Sequence, residues 1–543
     1  MFVKNLLFAV VVVVWLTIAT KAGITWAGTY TEGSVTFIGK TPVLKWKIDT
    51  SSSAYGTYND TLATTGWGVL DIKAGYGEIP ADDMKAMYAA GFLEGALTAE
   101  RIYQNYLNMH AFYFGGEKQS LEPKVKKFFD EQETWTRSMI AKNPNDQFWR
   151  SIALIVAQLD GLVDGYSNNP YQNKSLERFA FQMLNSVGDL IDLRHALSPS
   201  TRPDWSKMNP VEFQSYFMRH GHCSALIKVL GAYENIFMSH SSWFVYASTS
   251  RIYKHYNFNL KSVDVASKQM SFSSYPGFLE SLDDFYLLGN GLVMLQTTLN
   301  VFNNSLYDYV VPQSLLAWYR VRAANMLAHN GKEWSQILAK YNSGTYNNEY
   351  MIIDLNLIHL NESIDDNALW VVEQMPTMVK SGDQSPILRA GYFPSYNVPF
   401  YEEVFNISGY PEMVAKYGTD YSYQLAPRAK IFRRDQGKVK SFQDMKHLMR
   451  YNDYLHDEYS QMDPCKAICC RGDLYKENPS ADGCYDTKLS DYHMARKLQS
   501  EAISGPTLGT GLPPFEWTPK FPDMHVGLPQ IYNFSFLTME PQL

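Results

Sequence analysis

Apolar and polar positions alternate from Ile24 to about Ala74, where Thr, Val, Tyr and Trp are separated by Gly and Asn turns. That period of two predicts a β-rich opening. The period changes at Asp82. Met84, Met87, Phe92, Leu93 and Leu97 follow Asp82 and Asp83, two acids well placed for the first turn of a helix. Helical spacing continues to about Leu197, with amphipathic stretches at Val125–Ile140, Gln147–Leu162 and Leu176–Leu193. Ser198–Pro210, with three prolines among Ser and Asp, reads as a linker. Strand-like runs then return at Ala225–Leu230, Asn235–Met238, Ser262–Phe272 and Phe285–Gln296, the last with a tight Gly289-Asn290-Gly291 turn. A helix is predicted over Pro312–Leu327, and strands around Tyr350–Leu355 and Leu369–Val379. The order β, α, then β-α-β, without an internal repeat, predicts an α+β fold of mixed layers rather than a doubly wound parallel sheet.

The first residues stand apart from this pattern. Lys4 precedes an apolar run from Leu6 to Leu16, and small residues follow at Ala19-Thr20-Lys21-Ala22-Gly23. A positive start, a short apolar stretch and a small-residue exit describe a signal peptide, residues 1–22. A membrane anchor would need about 20 apolar residues, more than this run supplies. No later segment reaches that length, so no transmembrane anchor is expected after removal of the signal. Six sequons, at Asn59, Asn173, Asn303, Asn361, Asn406 and Asn533, fit the same secretory route and predict a glycoprotein. Over 543 residues the chain is 45% hydrophobic and 14% aromatic, which argues for a large ordered core. Its net charge of -7 is spread without runs of one sign, and no basic helix face offers a nucleic-acid footprint.

Motifs narrow the chemistry mostly by exclusion. No dinucleotide fingerprint, P-loop or H-E-x-x-H is present, and G-x-S-x-G is absent too, so neither a cofactor, a metal nor a serine nucleophile is called for. Cysteine is more informative. Four of the five cysteines, Cys465, Cys469, Cys470 and Cys484, fall within twenty residues and can form two disulfides in three connectivities. A zinc site would ask for closer C-x2-C spacing. Cys223 is left over, and an odd cysteine in a secreted protein is either buried and inert or a reactive thiol. Gly221 and His222 lead into Cys223, and an apolar run follows it from Ala225 to Leu230. A flexible approach, a cysteine and then a strand suit an N-terminal nucleophile. In that class the bond before the nucleophile is cut by the nucleophile itself, and the freed α-amine becomes its base.

Longer stretches carry a resemblance. Gly91-Phe-Leu-Glu-Gly-Ala-Leu-Thr98, Cys223-Ser-Ala-Leu-Ile-Lys228, Ser274-Tyr-Pro-Gly277 and Asp283-Asp-Phe-Tyr286 are followed by Asn342–Asn348, Ser395–Pro399, Pro427–Phe432 and Met449–Asp453. In that order they resemble the phospholipase B-like (lamina ancestor-type) family of lysosomal N-terminal nucleophile hydrolases. The resemblance implies an αββα sandwich made as one precursor and cut between His222 and Cys223. The products would be an N-terminal fragment 23–222, with its linker at about 198–222, and a C-terminal fragment 223–543 that stay associated. It implies Cys223 as nucleophile, with His240, Asn397 and Arg428 completing the catalytic set, Trp243 as pocket wall and Asn348 at the substrate. Ser241 departs from the Asn or Asp usual after the histidine. Taken alone, His240 could equally be a core histidine, Asn397 a turn residue and Arg428 a structural ion-pair member. The substrate implied is an acyl lipid, and the place a lysosome or the exterior. An N-acyl amidase on the same scaffold, or a lipid-binding glycoprotein without catalysis, are the alternatives.

Overall fold

The computed structural model describes residues 28–77, 82–219 and 222–543. The expected signal peptide, residues 1–22, lies outside them. Two sheets dominate. The larger has eleven strands in the spatial order Met378–Asp383, Leu369–Met375, Asn348–Asp354, Leu292–Thr298, Tyr286–Leu288, Gln269–Ser274, Ile252–Phe258, Gly68–Ala74, Ala54–Asp60, Thr29–Ile38 and Thr41–Lys45. Neighbours are antiparallel except Gly68–Ala74 and Ile252–Phe258, whose parallel pairing joins the opening β segment to the later strands. The smaller sheet runs Tyr392–Ser395, His222–Val229, Ile236–Val245, Asp486–Asp491, Ser500–Ser504 and Leu537–Met539, with Asp482–Cys484 also paired to Ile236–Val245.

Alternation along the strands explains how the sheets stack. Ala225, Ile227 and Val229 pack with Phe285, Leu287, Val293, Leu295, Met351 and Ile353 of the larger sheet, filling the space between the two. Leu226, one step out of phase, points the other way and joins Ile431, Phe432, Met445 and Leu448 of the helices Pro427–Asp435 and Phe442–Met449. On the far side of the larger sheet, Leu70, Ile72, Met294 and Ile352 pack against the N-terminal helices. The cores therefore lie between helices and sheet, between sheet and sheet, and between sheet and helices, as an α+β chain of mixed layers requires.

Several element boundaries differ from the sequence pattern. The helix at Asp82 does begin there, with the Asp82 side chain accepting from Met84 N–H, and Gln147–Asn168 is capped by Asp146 in the same way. Leu176–Leu193 is instead two helices, Arg178–Asn185 and Val187–Leu197, because Asn185 turns its side chain to Gly277 O and Leu279 N of a distant loop. Leu369–Val379 is a hairpin, Leu369–Met375 with Met378–Asp383. Only Gln269–Ser274 of the run from Ser262 forms a strand. The linker is ordered: it continues into a helix, Pro210–Arg219, whose Phe213 ring stacks on Tyr417 at 3.9 Å, while Trp205 Nε1 donates to Phe302 O at 2.7 Å. The cysteines close as Cys465–Cys470 and Cys469–Cys484, one of the three open pairings. Of the sequon asparagines, Asn173, Asn361, Asn406 and Asn533 are exposed, and Asn59 and Asn303 half-buried.

Candidate active site

Cys223 is the free cysteine and sits one residue into the strand His222–Val229, only 5% exposed. Its place on the strand aims it between the sheets, in phase with Ala225 and Ile227. Its backbone N–H donates to Asn397 Oδ1 at 3.2 Å. Arg428, on the first turn of Pro427–Asp435, reaches four acceptors: Cys223 O at 2.6 Å, Ser224 Oγ at 3.2 Å, Tyr396 O at 2.8 Å and Asn397 Oδ1 at 2.8 Å. A planar guanidinium suits such a forked set of contacts. Trp243 covers its face, with the guanidinium carbon 4.4 Å from the ring centre.

Asn397 owes its aim to the backbone. It sits at φ 67°, a left-handed conformation that asparagine tolerates better than most residues, two positions before Pro399. Its Nδ2 gives one hydrogen to Thr298 O at 2.7 Å, and Tyr410 OH holds its carbonyl at 2.6 Å. Among the described residues the second amide hydrogen has no acceptor.

A small cavity opens at Cys223, lined by Ser242, Trp243, Leu282, Asp283, Thr298 and Tyr346 among others. It offers about 20 Å³ to water centres, space on the scale of a single water and far too little for an acyl chain. Burial pushes the Cys223 thiol up to about 12, with the Trp243 backbone N–H and the Lys488 charge working against it. In the uncut chain the thiol is therefore protonated at acid and neutral pH. Burial likewise pulls Arg428 down to about 9, which leaves it a cation there.

His240 lies on Ile236–Val245 opposite Ala225, fully buried. Burial, reinforced by Lys488, holds it well below its ordinary range, so it is neutral. Lys488 Nζ lies 3.1 Å from its Nδ1. Against the cost of burial, Arg251 and Lys488 keep Asp283 ionised. Asn348 is not brought in: it stands on the larger sheet in phase with Tyr350 and Ile352 of the helix-side core and donates to Tyr350 OH at 2.9 Å. The geometry thus gathers Cys223, Trp243, Asn397 and Arg428 directly, and His240 through Lys488. Sequence reasoning missed Ser242, Asp283, Thr298 and Lys488, and the only signal within reach was Asp283 in the Asp-Asp-Phe-Tyr stretch. Among the described residues no group of side chains is arranged to hold a metal ion, and no helix is long and apolar enough to cross a membrane.

The chain is similar to known proteins over most of its length. Residues 54–539 match the family described as Phospholipase B. Over 508 residues the chain is 51% identical to Phospholipase B-like 1 of Bos taurus, covering 93% of this chain and 91% of that one. It is 50% identical over 533 residues to Phospholipase-B 81 of Drysdalia coronoides, covering 97% and 95%. Against Phospholipase B-like protein D of Dictyostelium discoideum the identity is 37% over 505 residues, covering 90% and 88%. With a match of this extent, the chain belongs to the phospholipase B family.

Proposed function

We propose that this protein is a self-processing acyl hydrolase of the N-terminal nucleophile type, acting on phospholipid acyl esters in a lysosome or outside the cell. The observation that carries the reading is the hold on Cys223. A lone, buried cysteine opens a strand with its N–H on Asn397 Oδ1 and its carbonyl on Arg428. Side chains of two distant segments take both of these backbone groups. The relatives named phospholipase B supply the substrate class.

The chemistry follows from those atoms. In the precursor, Cys223 Sγ attacks the His222 carbonyl, the peptide N–C bond breaks in favour of a thioester, and water hydrolyses it to a His222 carboxylate and a free Cys223 amine. That amine keeps Asn397 Oδ1 as its acceptor, which turns its lone pair elsewhere, and can take the thiol proton. The thiolate then attacks an acyl carbonyl. The oxyanion draws on the remaining Asn397 Nδ2 hydrogen, and Arg428 offsets its charge. Collapse expels the alcohol, which takes the proton from the amine, and water clears the acyl-thioester. Fragments 23–222 and 223–543 stay together because strands of both share the eleven-stranded sheet.

N-terminal sequencing of the protein held at acid pH should find a fragment beginning at Cys223, and Cys223→Ala should leave one chain. An uncut, inactive wild-type chain would leave the non-catalytic, lipid-binding reading standing. Matched acyl esters and acyl amides given to the cut protein decide the rest: ester turnover is expected to dominate, and a strong preference for amides means an amidase.

A further inference from the structure

Lys488 is a wholly buried lysine in the smaller sheet, and nothing in the chemistry above uses it. Cys223 stands opposite Ser242, and His240 opposite both Ala225 and Lys488, so all four polar side chains share the face between the sheets. Lys488 Nζ lies 2.8 Å from Asp486 Oδ1 and 2.5 Å from Asp283 Oδ2. It donates to Ser242 Oγ at 2.6 Å and to His240 Nδ1 at 3.1 Å. Arg251 backs the same carboxylates, 2.9 Å from each, and rests on the Tyr275 ring at 4.0 Å.

Two consequences follow. Ser242 Oγ receives a hydrogen bond from Lys488 and pairs with His240 Nδ1 at 3.4 Å, so Lys488 and His240 together fix the hydroxyl beside the cavity that Ser242 and Cys223 both line. And with His240 neutral, the cation on this face is a lysine whose place is fixed by two carboxylates, where an unpaired charge would be costly to bury. We propose that Lys488 is a positioning residue of this site: it holds Ser242 and His240 in place and sets a fixed positive charge beside the thiol. The inference rests on Cys223 as the nucleophile. The charged and titratable groups that surround the thiol are Lys488 and Asp486 from one strand, His240 from the next and Asp283 from the loop of the larger sheet. Arg251, Tyr346, Tyr485 and, from the outer helices, Arg428 stand around them.

The test is the pH profile of Cys223 alkylation by iodoacetamide, read by mass spectrometry, in the purified wild type, Lys488→Met and Asp486→Asn. Lys488→Met should raise the midpoint by about one pH unit or more, roughly a tenfold loss of thiolate at a given pH. Asp486→Asn, near-isosteric, should lower it, because it removes a negative charge and leaves Lys488 held by Asp283. General damage to the fold would not move the two in opposite directions. If Lys488→Met fails to fold, the sign of the Asp486→Asn shift decides alone. Unmoved midpoints, or an upward shift in Asp486→Asn, overturn the role of Lys488 while leaving a reactive Cys223 intact. A wild-type chain neither cut nor alkylated at any pH overturns the nucleophile itself.

Discussion

At Asn397 one side chain faces two ways: its oxygen holds Cys223 N–H and Arg428, and its nitrogen is half spent on Thr298 O. Asn397→Asp keeps the acceptor and loses the donor, whereas Asn397→Ala loses both. If the amide hydrogen holds an oxyanion, both variants should slow turnover by ~10²–10³-fold. Only Asn397→Ala should also disturb the seat of the amine, seen as a change in the acid limb of the rate profile. Steady-state rates against pH on the cut protein check this. At this scale the sequence was readable where residues act in local runs. Cys223 announced itself as an odd cysteine, and Asn397 and Arg428 came with the stretches around them. Lys488 and Ser242 did not. They meet Cys223 through cross-strand register, 246 positions apart in chain for their mutual bond, and no spacing encodes such a contact.

Helices pack closely where side chains are missing. Asp83–Leu97 crosses Gln147–Asn168 through Gly91 and Gly95 on one side and Gly161 and Gly165 on the other. A Cβ on Gly91 would come within 1.9 Å of Gln158 O, and one on Gly161 within 2.0 Å of Tyr88 O. These are backbone atoms of a partner helix and cannot swing aside. Gly91→Ala and Gly161→Ala should therefore each destabilise by about 1–3 kcal/mol, despite the better helix propensity of alanine. Gly437→Ala, with nothing within 4 Å of its new Cβ, should be near neutral. Denaturant titration of the three separates crowding from propensity. The sequence placed both helices through their apolar spacing, and the first also through its acidic start. What it could not place were breaks made by distant partners, such as the one Asn185 imposes, and the strand Ile252–Phe258. Its Lys254 and His255 are buried in polar company and blur the period of two.

Across the molecule, buried carboxyl groups give stability an acid preference. Burial raises Asp71 and Asp189 to about 6 and Asp192 to about 7. Glu349 and Glu373 face each other across neighbouring strands of the larger sheet, and burial pushes both up, with the Glu373 charge adding to it for Glu349. Glu373 also holds Phe400 N–H at 2.6 Å and Tyr401 N–H at 3.1 Å, just beyond the Asn397 turn. An acid with a raised folded pKa binds its proton more tightly when folded, so folding is favoured most below the unfolded value near ~4. That advantage drains as pH climbs toward the folded values of about 6 and 7. Groups held low work the other way: buried His195, His240 and His255 stay neutral in the fold and cost stability as pH falls below ~6.5, and Asp283 does so only in stronger acid, but the raised carboxyl groups outnumber them. The melting temperature should thus be higher near pH ~5 than at pH ~7.5, and Glu349→Gln should reduce the difference by lifting the neutral value. Calorimetry of both proteins across that range measures it. A flat profile in the wild type would mean that these acids stay ionised in the fold.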